Sequence, residues 1–406
     1  MKTVSVSLSP NTQKDDVCLA IREIFSTKKV KGEYIQKLEN SFKSYFNFDY
    51  VFSLNSGRSC LLLILEALNI EEGDEVIVQA FTCNAVINPI LKRKALPIYV
   101  DIDETLNLDI TQIEKKITKN TKAIIAQHTF GIPANINEIK KICQKYGLIL
   151  VEDCAHALGA KYNNEYCGTF GDVAFFSFGR DKVISSVYGG MIATNKLDIK
   201  EKIQALYEKL NYPENKWTNK QLMHPIIMNL FVLPFYNFLN IGKIILELSI
   251  RFNLLSKAVT ASEYKGILPD LFPLKMPNSL AKLALNQFKK LDKFNDHRKE
   301  IAEYYKKNIG GLFNITDGAI YLKFPILIDN GDEIIEEISK YNIMLEDGWR
   351  KKVIAPPKTN LCKMNYKEGE CENAEKISDK IIILPTHINI TKDIAEKIVY
   401  LIKSFI

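Results

Sequence analysis

Three short stretches of this 406-residue chain carry side chains whose types and spacing suit chemistry. In SFGRDKVISSVYGG, residues 177–190, Lys182 leaves an apolar run across a turn and precedes the pair Gly189-Gly190. A lysine amine held in an apolar pocket sheds its proton more readily and can form a Schiff base with a carbonyl; the bland alternative is a solvated turn lysine. In LILVEDCAHALGAKY, residues 148–162, an apolar run ends in Glu152 and Asp153, and His156 follows. Carboxylates at the end of a buried strand stand where open α/β sheets bind ligands, although an acid there also caps helices and a lone histidine is commonly satisfied locally. In NSGRSCLLLILEAL, residues 55–68, a strand runs through Ser56-Gly57-Arg58-Ser59 into an apolar helix. Backbone N–H groups at that helix start form an anion site, but any strand–turn–helix unit needs a small residue in its turn.

The order of the three favours one chemistry: anion turn, then strand-end acid, then turn lysine, at spacings of about 100 and 30 residues. Pyridoxal phosphate needs those three services. Its phosphate wants N–H groups and a hydroxyl, its pyridine nitrogen wants a carboxylate, and its aldehyde wants an amine. Gly57, Arg58 and Ser177 can serve the phosphate, Asp153 the ring nitrogen and Lys182 the aldehyde.

The elements that must position these residues are legible in the hydrophobic pattern. From Val51 to Asn195 short apolar runs (VFSL, EVIV, PIYVDI, AIIAQ, LILVED, VAFFSF, MIATN) alternate with helical stretches such as LLLILEAL, NAVINPIL and INEIKKICQKYG. That alternation predicts an α/β domain whose mostly parallel sheet is covered on both faces. The pattern changes at Lys275 to one long amphipathic helix over about residues 279–307, and then to a smaller α+β pattern, YLKFPILI, DEIIEEISKY, KIIILPTH and DIAEKIVYLIKSF. The expected division is a large domain, 1–270, and a connecting helix with a small C-terminal domain, 271–406.

Composition adds bounds. The chain is 47% hydrophobic and 25% charged, and its net charge of +6 is spread without a basic, aromatic-studded stripe, so no nucleic-acid partner is expected. Eight cysteines include no CxxC pair and no zinc-type spacing, and no metal site is expected. With no apolar leader at the N-terminus, reduced thiols in a cytoplasmic protein are the expectation. One stretch stands apart: no Lys, Arg, Asp or Glu occurs between Lys220 and Lys243. Prolines and asparagines interrupt it, so a membrane-crossing helix is not expected. Residues 222–257 read either as a buried or interface-forming insertion or as short helices on a membrane surface.

Over nearly its whole length the chain resembles the DegT-type (DegT/DnrJ/StrS) sugar aminotransferases, which are fold type I pyridoxal phosphate enzymes. The similar stretches are SGRS at 56–59, GDEVIV at 73–78, YVDID at 99–103, TKAII at 121–125, HTFGIPANI at 128–136, VEDCAHALGA at 151–160, GDVAFFSF at 171–178, KMPNSLAKLALNQFKKLDKFNDHRKEIAEYY at 275–305 and ILPTH at 383–387. The resemblance implies that Lys182 holds the cofactor's aldehyde and moves protons, that Asp153 pairs with the ring nitrogen, and that Ser177 with the turn at Gly57 and Arg58 holds the phosphate. His156 stands where the family usually has glutamine beside the phenolic oxygen, and an imidazole can make the same hydrogen bond. Cys83 stands where an aromatic residue usually stacks on the ring, with Phe81 as a substitute two positions earlier. Other departures are Gly179-Arg180 in place of histidine and proline, Val187-Tyr188 in place of Gly-Glu, and Pro273 in place of an asparagine lent to a neighbour's phosphate.

The activity so implied is transfer of an amino group from an amino acid, by family habit glutamate, to a keto-sugar, nucleotide-linked in the main reading, for surface polysaccharide or amino-sugar biosynthesis. Relatives that carry histidine in place of the lysine remove a hydroxyl instead, so Lys182 implies amine transfer. The resemblance also implies a homodimer. Two alternatives stand beside this: a non-catalytic or regulatory protein on the same fold, supported by the departures, and an aminotransferase acting on a lipid-linked substrate at a membrane surface, supported by peripheral contact through 222–257.

Overall fold

The structure is a computed structural model that describes residues 3–310, 317–345 and 348–405. Seven strands form its main sheet: β1 (Tyr50–Leu54), β2 (Glu75–Gln79), β3 (Leu96–Val100), β4 (Thr121–Gln127), β5 (Ile149–Asp153), β6 (Val173–Ser177) and β7 (Gly190–Thr194). Their spatial order is β3-β2-β4-β5-β6-β7-β1. Neighbours pair in parallel except at β7, which is antiparallel to both β6 and β1. The carboxyl ends of six strands and the amino end of β7 therefore share one edge.

Both faces are buried, as the near-continuous apolar strands require. Alternate residues separate cleanly: Val76, Val78, Ile125 and Phe175 belong to one core, while Ile77, Ile124 and Phe176 face the other side. Helix α1 (Glu33–Phe46) covers part of the second face and places Phe42 edge-on to Phe176, with ring centroids 4.9 Å apart. Truncating such a buried ring to alanine costs about 3–5 kcal/mol. Helix α2 (Gly57–Ala67) covers the first face with Leu61, Leu63 and Ile64, and α3 (Ile136–Tyr146) covers the second with Ile136, Ile139 and Cys143.

The uncharged stretch begins inside α4 (Asn215–Ile227), continues through a π-helical turn at Met228–Val232 and a short turn at Leu233–Phe235, and returns as α5 (Ile241–Arg251). Among the described residues no helix is long and apolar enough to cross a membrane.

The long helix expected over 279–307 is two helices, α6 (Asn278–Phe288) and α7 (Leu291–Ile309). The chain turns at Lys289 and Lys290, where Lys290 leaves helical geometry at φ −106°, ψ 8°. The break lets α6 bury nearly its whole circumference against α1, α4 and the helix Lys14–Ile24, while α7 restarts with a one-sided face of Leu291, Phe294, Ile301 and Tyr305. Periodicity counted across the join blurs the two faces into one.

The C-terminal elements form an antiparallel pair, β8 (Lys323–Leu327) with β9 (Ile381–Pro385), packed by helices Gly331–Ser339 and Lys392–Lys403. Two short parallel pairings tie them to the rest: Val4–Ser5 with Ile343–Met344, and Thr82–Cys83 with Ile354–Ala355. The second brings the loop carrying Trp349 over the carboxyl edge of the main sheet.

Candidate active site

A cavity of about 630 Å³ opens at that edge, lined among others by Gly57, Arg58, Cys83, Asp153, His156, Ser177 and Lys182. The seven residues expected to bind the cofactor all line it, although as many as 125 positions separate them in the chain, from 57 to 182.

Lys182 sits in the loop between β6 and β7. Its Nζ lies 2.9 Å from His156 Nε2 and 3.6 Å from Asp181 Oδ1. The backbone N–H of Phe130 donates to His156 Nδ1 at 3.3 Å, which leaves Nε2 as the edge that meets the lysine. Burial, reinforced by the nearby Lys182 and Lys323 charges, holds His156 well below the usual imidazole range, so the ring is neutral. Asp181 is also an ion-pair partner of the buried Lys323, at 3.2 Å. Burial alone would raise its pKa, but the Lys182 and Lys323 charges outweigh it and keep the carboxylate ionised.

The lysine loop is held from below. Arg298 of α7, fully buried, donates to Val183 O at 2.7 Å and to Asn11 Oδ1 at 2.8 Å, and Asn11 Nδ2 in turn donates to the carbonyls of Lys182 and Val183. Sequence reading passed over Arg298 and Asn11, because nothing in their local pattern distinguishes them from surface residues.

Asp153 ends β5 on the cavity floor. Burial pushes its carboxyl up to about 6, against the pull of the Ala155 N–H, which donates to it at 2.9 Å, and of the Lys182 and His128 charges. Glu152 points to the opposite face, where Phe170, Gly171 and Gly168 donate backbone N–H groups to it and His128 Nε2 lies 3.1 Å away. That carboxylate is saturated by the fold, and the reading of Glu152 as a cap-like structural acid is the one its surroundings fit.

Helix α2 begins at the cavity. Ser56 caps it by accepting the N–H of Ser59 at 3.1 Å, and the first-turn N–H groups of Gly57 and Arg58 have no partner within the helix. The Arg58 side chain turns away to pair with Glu263, whose other oxygen accepts the Thr260 N–H at 2.8 Å. Close approach makes glycine necessary here. A Cβ on Gly190 would come within 2.7 Å of the Ser56 carbonyl carbon and 2.8 Å of Gly57 N, and one on Gly57 would fall 3.1 Å from Ser177 Cβ. Between the helix start and the Ser177 hydroxyl there is thus a cradle that side chains would fill.

The departures from the family pattern also gather here. Arg58 and Arg180 lie on the Tyr188 ring, at 5.7 and 5.6 Å. Arg180 donates to Ser256 O and Oγ at 2.7 Å each, and its buried Nε has no hydrogen-bond partner. Cys83 lines the cavity as the cap of helix Asn84–Lys92, its thiol pushed up by burial. Phe81 does not reach the cavity; it is fully buried behind it, against Phe130 and Trp349. Trp349 lines the cavity, as do Phe175, Tyr188 and Tyr264, and its ring lies 5.4 Å from that of His156. The DGWRKK stretch carries no site signal of its own, and contacts with distant segments bring it in.

The donor set fits pyridoxal phosphate: a floor carboxylate, an amine, a neutral imidazole, and a glycine cradle at a helix N-terminus with an unsatisfied guanidinium nitrogen nearby. Together with the sheet order, this defines a fold type I pyridoxal phosphate enzyme. The sequence profile of the DegT/DnrJ/EryC1/StrS aminotransferase family matches residues 11–224 and 260–403, and the chain belongs to that family. It is 32% identical over 405 residues to an uncharacterised protein of Methanocaldococcus jannaschii, covering 95% of this chain and 94% of that one. It is 34% identical over 288 residues to GDP-perosamine synthase of Escherichia coli O157:H7, covering 70% of this chain and 65% of that enzyme. Its fold is similar to that of a putative sugar aminotransferase from Streptococcus pneumoniae solved in its pyridoxal phosphate form, with a TM-score of 0.74, 19% identity, and coverage of 100% and 97% of the two chains. The protein is a pyridoxal-phosphate-dependent aminotransferase of this sugar-modifying family.

Proposed function

We propose that the enzyme moves an amino group from an amino acid, glutamate in our reading, to the ketone carbon of a sugar carried on a nucleotide or a comparable phosphate-bearing group. The observation that carries this is the amine of Lys182 held 2.9 Å from a neutral imidazole, in a cavity whose floor is Asp153. The name of the similar GDP-perosamine synthase supports a nucleotide-linked amino sugar as the product class.

Bound pyridoxal phosphate supplies an aldehyde that condenses with amines and a ring that takes up the electron pair left when a proton departs. The residues of this chain do the rest. Lys182 would hold the cofactor at rest and, once displaced by the donor's amine, would carry a proton away from the donor's α-carbon as a general base. Asp153, as carboxylate, would keep a proton on the ring nitrogen; a positive ring opposite it lowers the carboxyl from the value that burial sets. His156 would offer Nε2 to the phenolic oxygen. The N–H groups of Gly57 and Arg58 and the Ser177 hydroxyl would take the phosphate, and Arg180 would hold an anionic group of the substrate. Amine transfer needs two half-reactions through the same site, and one lysine would serve both: it would take a proton from the donor's α-carbon in the first and deliver one to the sugar carbon in the second, returning to its resting form when the cycle closes.

In this reading the working unit is a homodimer, which light scattering of the purified protein tests. The reaction itself is tested by incubating the holoenzyme with ¹⁵N-glutamate and a panel of nucleotide-linked keto-sugars. Appearance of ¹⁵N in a sugar product identified by mass spectrometry is the expected result. Glutamate consumed with no labelled sugar from any of these ketones, nor from a lipid-phosphate-linked keto-sugar, would remove the sugar from the proposal.

A further inference from the structure

The family profile stops at residue 224 and resumes at 260. The segment between lies outside the matched residues and has a built core: Ile227, Met228, Val232, Leu233 and Leu255 are buried together. Gly242 lets α5 close on the π-helical turn, since a Cβ there would meet Val232 O at 2.3 Å. A segment able to bury that much nevertheless leaves large apolar side chains outside. Phe238, Leu239 and Phe252 are 62%, 76% and 70% exposed, and Phe231, Ile244 and Leu248 of the same segment are also exposed. Isolated exposed apolar residues mean little, whereas a cluster on one segment marks a contact surface.

Three observations say what covers it. Between 225 and 259 the charged residues are Lys243, Arg251 and Lys257 against Glu247 alone, and all four are exposed. An aromatic-rich apolar face bordered by cations fits the headgroup boundary of an anionic bilayer. An isologous contact with a second copy would instead bring these cations toward their equivalents. Finally, the same element turns its inner side to the active site: Met228, Leu246 and Ile250 line the cavity together with Arg180 and Lys257. One segment thus joins an apolar outer face to an apolar cavity wall with cations beside it.

We infer that residues 225–259 seat the enzyme on an anionic membrane surface, and that the cavity admits a keto-sugar linked through phosphate to a lipid chain. The cations meet the phosphate, and the Met228, Leu246 and Ile250 wall meets the first carbons of the chain. The substrate half rests on the amine transfer proposed above and narrows its carrier to a lipid; the docking half stands without it.

The test is co-sedimentation of the full-length holoenzyme with phosphatidylcholine vesicles, with and without phosphatidylglycerol, and light scattering of the same samples without vesicles. The expected result is pelleting with the anionic vesicles only, reversed by salt, and weakened roughly tenfold or more in a Phe238→Asp/Leu239→Asp/Phe252→Asp variant that keeps the visible band of bound pyridoxal phosphate. A protein that stays in solution with both vesicle types, a variant that pellets as the wild type does, or a variant whose sole change is a lower oligomeric state overturns the docking. Transfer of ¹⁵N to a lipid-phosphate-linked keto-sugar in those vesicles should fall in the same variant; equal transfer by both proteins overturns the substrate half. Vesicle binding with no amine transfer to any sugar would instead fault the reaction and leave the docking intact.

Discussion

Replacing Asp153 by asparagine should make the cofactor-free protein more stable while crippling its function. Without cofactor, burial lifts the Asp153 carboxyl from 3.8 to about 6. A raised carboxyl means that the native state binds more protons than the unfolded chain between those values, so stability falls as pH rises through that window. About two units at ~1.4 kcal/mol each give a cost of about 3 kcal/mol at pH 8 and about half that at pH 5. Asparagine carries no charge to desolvate, and its side-chain oxygen can still accept the Ala155 N–H that Asp153 accepts at 2.9 Å. Urea unfolding of the stripped wild type and the Asp153→Asn variant at pH 5 and pH 8 reads the difference. The variant should be more stable at pH 8 by about 1–3 kcal/mol, with the gap narrowing at pH 5. Saturating pyridoxal phosphate should reverse the order, because only the carboxylate stabilises a protonated ring nitrogen. A variant less stable than the wild type at pH 8, or a gap independent of pH, would refute the claim that this carboxylate is held ready at an energetic cost.

Further expectations follow from the same geometry. Glu263→Gln leaves the buried Arg58 guanidinium without its counter-charge and should cost about 3–5 kcal/mol in urea unfolding, far more than an exposed ion pair would. Gly190→Ala drives a methyl group to within 2.8 Å of Gly57 N and displaces the start of α2; pyridoxal phosphate affinity, followed by fluorescence titration, should fall roughly tenfold or more. Because His156 is neutral throughout the working range, His156→Gln should keep the pH profile of the donor half-reaction between pH 6 and 8, whereas a profile that loses an inflection in the variant would contradict the assigned charge state. Arg298→Met removes the clamp on Val183 and should destabilise the fold and lower the rate of the donor half-reaction, read by stopped-flow absorbance.

The sheet was legible because its strands are buried on both faces and their short apolar runs alternate with helical ones. Asp153, Ser177, Gly57 and Arg58 were legible because they end strands or begin a helix, and Lys182 because it follows a strand across a turn; Cys83 and the role of His156 rested on the family resemblance. What escaped the sequence depends on contacts between distant segments. Arg298 and Asn11 act on the lysine loop through the backbone of Val183, and a backbone partner leaves no signature in side-chain pattern. Trp349 is held at the cavity by contacts between distant segments: Ile354–Ala355 pairs with Thr82–Cys83, and the indole packs on Phe81, Phe130 and His156. The expected long helix divides at Lys289 and Lys290, where no glycine or proline could be read in advance, and α6 packs there against several distant elements. For 222–257, composition left burial and surface exposure as alternatives, and the segment does both: one side forms a core and a cavity wall, the other remains exposed.

The central claim is that Lys182 is the residue through which the cofactor works. The most direct measurement is the absorption spectrum of the protein with pyridoxal phosphate, before and after glutamate, for the wild type and for Lys182→Ala. The account predicts a visible band that glutamate bleaches toward the near ultraviolet in the wild type, and neither that band's formation from the free cofactor nor its bleaching in the variant. A band that forms and responds to glutamate equally in both proteins would contradict it.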